Sequence, residues 1–417
     1  MVKLNPLLGA TIEEINADYG TTTLKPLLNS AGIYLLQTPV GITAANLAGK
    51  MALDPRLLYA EPNFVGEAPE GAGRHTWGWG GEDSKPLASQ YAIDLLGLPA
   101  AWELSRDGNP VVVAVLDSGV QLEHPALAGV WTETRYDFVD DDEDPQVVMA
   151  SATDIAIGHG THVAGIVHLV APQAHIMPLR VLDTQARGDI FRLAEAIVYA
   201  TDHGANVINM SLGTSEKSEL LNEVTNQATA LGVTVIAAAG NLNAKDRQFP
   251  AGNNCVLAVT AVDEGLRKAD FANYGSWIDL AAPGVSIYSE LPTNGYGWWS
   301  GTSMATPFVA GQAALIYSMN SRLNVRQIAE LIVGTARTVD DANPDLRGKL
   351  GAGIPAVGVS LQRLQTGDLP QVGGVMSGSC LQLPATTVAV SNRDKDNVKM
   401  INESSQANNI FLPLIVQ

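Results

Sequence analysis

From Gln90 onward the chain alternates short, almost wholly apolar runs with longer amphipathic ones, and this alternation restricts the fold more than any other feature. The strand-like runs cover residues 111–116, 175–182, 207–211, 233–239, 256–262 and 277–281. The helical runs cover residues 159–169, 190–201, 218–230, 303–317 and 325–336. Strands built of Val, Ile and Ala have two apolar faces and need cover on both, which a parallel sheet with crossover helices supplies. The expected fold is therefore α/β, a doubly wound, mostly parallel sheet whose functional groups gather beyond the carboxyl ends of its strands.

The rest of the chain divides around that core. Residues 1–66 read as a small α+β unit of ferredoxin-like order. It has an apolar start, a helix at 11–19 opened by a Thr11/Glu14 capping box, a strand at 32–37, a helix at 43–53 and a strand at 57–60. From residue 65 to 89 the composition turns to Gly, Glu, Pro and Trp without period, which predicts an exposed linker (67–89) open to proteolytic nicking. The α/β domain then spans 90–366, and a polar, aperiodic tail follows at 367–417, with an apolar stretch at 410–416 as a candidate added strand.

A chain of 417 residues that is 46% hydrophobic and 16% charged has room for two or three domains with a large core. Its net charge of −18 opposes nucleic acid and anionic membranes as partners. No apolar run reaches the length of a membrane span, and residues 1–5 lack the apolar core of an export signal. Cys255 and Cys380 are too few for a disulfide framework; they are either one bridge pinning the tail or two unpaired thiols.

Three motifs carry chemistry. In SGTSMATP, residues 300–307, a Gly-Thr turn enters a helix at Ser303, where the helix dipole favours a developing oxyanion. Asp117 ends the strand VVVAVLD at the sheet's carboxyl edge, and His159 opens a helix in GHGTHVAG. His162, one turn later, lacks carboxylate or thiol companions at ligand spacing and reads as packing. Each residue alone has an ordinary structural reading as a cap or turn. Together they supply an orienting carboxylate, a general base and a nucleophile.

The order Asp, His, Ser and the motifs AVLDSGV, GHGTHVAG and SGTSMATPFVAG resemble the subtilisin-like serine peptidases over about residues 90–364. The resemblance implies a serine endopeptidase in which Ser303 attacks the scissile carbonyl, His159 shuttles the proton and Asp117 steadies the imidazolium. It also implies that Asn241, just past the strand at 233–239, donates to the oxyanion together with the Ser303 N–H. Two readings compete: a catalytically silent binding protein on the same fold, and an acidic peptidase of Ser-Glu-Asp type, which would need a glutamate where His159 stands.

Further implications concern substrate, ion and activation. Extended peptides would add as a strand between Ala186, Arg187 and Gly188 on one side and Ser211, Leu212 and Gly213 on the other. The side chain before the scissile bond would enter a slot walled by Leu212, Ala238 and Gly240, with Gln248 at its floor. Ile190 and Leu193 suggest a second apolar pocket. In YDFVDDDEDPQ, Asp137, Asp140, Asp142, Asp144 and Gln146 alternate as oxygen donors and resemble the calcium loop of thermitase-like relatives. Asp279 matches a weaker cation position. Residues 1–66 resemble an inhibitory propeptide that templates the slow-folding parallel sheet. The expected protein is monomeric and secreted.

Overall fold

A computed structural model of the chain describes residues 1–28, 32–69, 76–105, 110–148, 157–373 and 380. The tail expectations, including the added strand at 410–416, lie outside the described residues.

The N-terminal unit runs β1 (Val2–Leu4), α1 (Ile12–Tyr19), β2 (Thr22–Pro26), β3 (Ile33–Gln37), α2 (Ala44–Met51) and β4 (Leu57–Ala60). Its strands form an antiparallel sheet of order β2-β3-β1-β4. The capping box forms: Thr11 Oγ1 accepts from Glu14 N, and the Glu14 carboxylate accepts from Thr11 N. Val2, Ile12, Ile15, Leu47, Met51 and Leu57 make a separate small core. Strand β2 was invisible in the sequence because all five of its residues are exposed, so it has no apolar period and depends on pairing with β3.

The segment expected as an exposed linker has secondary structure of its own. It carries β5 (Val65–Glu67), β6 (Thr76–Gly81) and α3 (Lys85–Ser89). These strands escaped notice because their partners are remote in sequence, and because β6, TWGWGG, alternates Trp with Gly rather than apolar with polar.

The α/β domain continues α4 (Tyr91–Leu96), α5 (Leu98–Leu104), β7 (Val112–Asp117), β8 (Tyr136–Asp137), α6 (His159–Val170), β9 (His175–Arg180), β10 (Arg187–Asp189) and α7 (Ile190–Asp202). Then come β11 (Val207–Met210), α8 (Glu219–Ala230), β12 (Thr234–Ala238), β13 (Leu257–Val262), β14 (Leu280–Pro283), β15 (Ile287–Leu291) and β16 (Gly295–Ser300). Helices α9 (Thr302–Met319), α10 (Val325–Thr335) and α11 (Val357–Thr366) close the described chain. Seven strands pair in parallel in the order β14-β13-β12-β11-β7-β9-β8. On β7, Val113 and Val115 point into the core shared with α6 and α9, whereas Ala114 and Leu116 point into the core shared with α7 and α8. Both faces are thus covered, as the apolar composition required.

The chain leaves β7 for β8 at the sheet edge, returns through α6 to β9 beside β7, then crosses through α7 to β11 on the other side of β7. The strand order therefore reverses at β7, and the crevice beyond its carboxyl end is where such a sheet opens to a ligand. The expected strand at 277–281 begins later, at Leu280, because Trp277 turns aside to donate to the Lys245 carbonyl at 2.9 Å. Beside the main sheet, β15, β16 and β6 form a three-stranded antiparallel sheet. Cys255 and Cys380 are joined in a disulfide with Cα atoms 5.3 Å apart, which resolves the open alternative and ties residue 380 to the body.

Candidate active site

Asp117 lies buried at the end of β7. Its Oδ1 accepts from Ser118 N at 2.7 Å and lies 2.7 Å from His159 Nδ1. Helix α6 brings the imidazole there because Gly158 caps it at φ 80° and because Gly160 permits close approach. A Cβ on Gly160 would come within 2.2 Å of the Gly119 carbonyl oxygen, so any other residue would push His159 off Asp117. Trp299 on β16 meets the imidazole edge-on, 5.3 Å between ring centroids. The next histidine, His162, is buried with Nε2 facing the Ile287 and Gly297 carbonyls, and burial pushes its pKa down to about 3.

Ser303 stands in the first turn of α9, which packs on the same face of the sheet as α6. That helix is apolar on every face and threads the core. Pro307 lies inside it, and a proline has no N–H for the carbonyl four residues back, which is that of Ser303. The vacancy is filled from the residue just after β11: Ser211 Oγ donates to the Ser303 carbonyl at 2.9 Å, and Ser303 Oγ donates to the Ser211 carbonyl at 3.1 Å. Asn209 Nδ2 donates in turn to Ser211 Oγ at 3.1 Å. Since Met210 pairs with Leu116, the following residues Ser211 and Asp117 extend adjacent strands, so Ser303 is anchored one strand from the carboxylate that holds His159.

One strand further, the segment after β12 delivers Asn241. Its Oδ1 accepts from Thr302 N at 3.0 Å and from Thr302 Oγ1 at 2.9 Å, while Gly240 N donates to Thr302 Oγ1 at 3.1 Å. With the oxygen turned to Thr302, the amide nitrogen is presented on the other side of the group. Thr302, Ser211 through its hydroxyl, Pro307 and Trp299 were not singled out from the sequence. The helix-interior proline beside Ser303 was the one sequence signal that could have suggested an outside donor.

The edge segments expected to bind peptide are already paired with β5. Arg187, Gly188 and Asp189 pair antiparallel with Glu67, Gly66 and Val65. Ala68 N donates to the Ala186 carbonyl at 3.0 Å, and Glu67 and Gly213 exchange two backbone bonds of 2.9 Å each. Leu212 and Ala238, expected to wall the substrate slot, are buried. Gln248 packs where a Cβ on Gly240 would lie 2.2 Å from its Oε1, and it also approaches Gly213. Ile190 and Leu193 are buried in the core cluster on that face, with Ala68 of the linker in the same cluster.

The acidic loop at residues 137–146 is organised around a protein cation. Arg180 Nη1 bonds the carboxylates of Asp137 and Asp140. Asp142 Oδ1 accepts from Asp144 N, and Gln146 Oε1 accepts from Leu122 N at 3.0 Å. Among the described residues, no three acidic, His or Cys side chains converge as a metal cage. Asp279 Oδ2 accepts from Ala258 N at 2.8 Å, and burial pushes its pKa up to about 6.

Comparison with known proteins agrees with this geometry. Residues 108–353 match the subtilase family model. A thermophilic serine proteinase of Bacillus sp. (strain AK1) is 38% identical over 297 residues, 68% of this chain and 70% of the relative. Thermitase of Thermoactinomyces vulgaris is 40% identical over 261 residues, covering 59% of this chain and 90% of the relative. Subtilisin BL of Lederbergia lenta is 36% identical over 262 residues, 61% of this chain and 93% of the relative. A sheet that reverses at Asp117, an Asp–His pair at its edge and serine proteinase relatives at these identities place the chain in the subtilase family, as a subtilisin-like serine endopeptidase.

Proposed function

We propose that Asp117, His159 and Ser303 form the hydrolytic triad of this endopeptidase, with Asn241 and the Ser303 N–H as its oxyanion donors. The observation that carries the reading is the 2.7 Å contact between His159 Nδ1 and Asp117 Oδ1, one strand from the carbonyl that anchors Ser303. Ser303 Oγ bonds to the scissile carbonyl carbon as His159 Nε2 takes its proton; Asp117 holds the tautomer and the resulting imidazolium. The imidazolium then protonates the leaving amine, and water repeats the sequence on the acyl-enzyme. Asn241 is positioned for the oxyanion because Thr302 fixes its oxygen.

Polypeptide substrates would bind by strand addition between residues 186–188 and 211–213, the place β5 holds. Residues 1–66 then act as an intramolecular inhibitor and folding template. Their end is built into the catalytic domain. Glu61 accepts from Ser218 Oγ, Glu219 N and Leu220 N at the start of α8, and Asn63 Oδ1 accepts from Phe191 N at the start of α7. The disulfide supports an oxidising, extracellular setting. No helix among the described residues is long and apolar enough to cross a membrane. A monomer is the proposed form.

We also propose a structural calcium ion at the loop 137–146. Its donors, Asp137, Asp140, Asp142, Asp144 and Gln146, are all oxygen, which suits a hard cation. Arg180 already places one positive charge there, so the ion's contribution is small.

The test of the peptidase reading is hydrolysis of casein by matured protein and by Ser303→Ala. Turnover by the parent and none by the variant is expected; equal turnover by both refutes the role of Ser303.

A further inference from the structure

The linker strand occupies the cleft in a register that can be read to its end. Glu67 and Gly213 are an antiparallel pair joined by both possible backbone bonds. In such a ladder, doubly bonded pairs recur every second residue, so the next one brings residue 69 opposite Ser211. Ser211 is the residue whose carbonyl receives the Ser303 hydroxyl and whose own hydroxyl holds the Ser303 carbonyl. Residue 69 is therefore the one delivered beside the nucleophile, and it is a proline.

Resting on the peptidase reading above, we infer that Pro69 makes the linker a strap that fills the active-site cleft but is cut slowly at its own register. Pro69 has no N–H to give the Ser211 carbonyl, so the bond that would complete the ladder at the reacting residue does not form. That carbonyl instead keeps the Ser303 hydroxyl, 3.1 Å away. A residue with an N–H at position 69 would donate to the Ser211 carbonyl, complete the ladder and align the linker for attack. The proline also favours binding. It restricts Ala68 to the extended region, which is the conformation of an added strand, and both Ala68 and Pro69 are buried. Proline thus removes freedom from the unbound linker while withholding the contact that aligns it for attack. The bond Pro69–Glu70 is then not the fast maturation bond, and rapid cutting falls elsewhere in the linker.

The experiment follows processing of the purified full-length chain by intact mass and N-terminal sequencing, alongside Pro69→Ala, Pro69→Leu and Ser303→Ala, with casein hydrolysis measured on the same samples. In the parent, fragments beginning at Glu70 should be scarce. In Pro69→Ala and Pro69→Leu they should accumulate at least about tenfold faster, the size expected when one buried hydrogen bond is restored at the reacting residue. Two proline replacements of different bulk separate the missing N–H from any local repacking. Equal rates of Glu70 appearance in parent and both variants, with casein hydrolysed normally, overturn the inference and leave the peptidase reading standing. Hydrolysis of neither linker nor casein in any sample overturns the peptidase reading and this inference with it.

Discussion

The hydrogen bond between Ser211 Oγ and the Ser303 carbonyl exists because Pro307 cannot supply the usual helical donor, and that dependence has a measurable size. Replacing Ser211 with Ala leaves the buried Ser303 carbonyl without this donor and Asn209 Nδ2 without this acceptor. Each buried polar group stranded in this way costs about 1–3 kcal/mol. The expected loss is about 2–4 kcal/mol, or roughly 4–12 °C in melting temperature for a domain of this size. Pro307→Ala restores an N–H one helical turn beyond Ser303 and should make the Ser211 hydroxyl partly redundant. In a double-mutant cycle, Ser211→Ala should therefore cost less in the Pro307→Ala background, with a coupling of about 1–2 kcal/mol. Calorimetry on the four proteins, all carrying Ser303→Ala to prevent self-digestion, reads the cycle. Additive losses would refute the idea that the proline creates the need for the serine.

Other outcomes follow from the same geometry. Asn241→Asp keeps an oxygen for Thr302 but loses the amide N–H, so it should fold normally and lose turnover by at least the roughly 10²–10³ found on removing one such donor in a subtilisin; unchanged kcat would remove Asn241 from the oxyanion site. Glu290 is buried behind α6, where burial raises its pKa above the ordinary 4.5 while Ser289 Oγ bonds its Oε2 at 2.9 Å. The folded state thus keeps a proton that the unfolded chain releases. Stability from this group is full below about pH 4.5, falls as pH rises towards the elevated folded value, and is flat beyond it. Glu290→Gln should flatten that decline in a melting-temperature series, and an unchanged slope would contradict the assignment. Calcium in place of chelator should raise the melting temperature by only about 2–4 °C, because Arg180 already bonds two of the carboxylates and offsets one of their charges; no rise would dismiss the ion.

The sheet was legible in the sequence because its strands are apolar on both faces and its helices on one stripe, so local period and tertiary role coincide. Asp117, His159, Ser303 and Asn241 were legible because glycine-rich turns set them at element ends. What the sequence withheld depends on partners distant along the chain. Strand β5 is a strand only because residues 187–189 and 213 pair with it. Strand β6 fits β16 because Trp79 packs where Gly295 has no side chain: a Cβ there would lie 2.3 Å from the indole. The acidic loop read as a cation cage from its own spacing, but Arg180, on β9, was too remote to enter that reading. The serine pair at 211 and 303 was hidden likewise, 92 residues apart.

The most direct measurement of the central claim is covalent labelling of the matured protein with a serine-directed phosphonate, followed by peptide mapping. Stoichiometric phosphonylation of Ser303, slowed by orders of magnitude in His159→Ala and in Asp117→Asn, is the predicted result. Labelling at another residue, or labelling of Ser303 at the same rate in all three proteins, would contradict it.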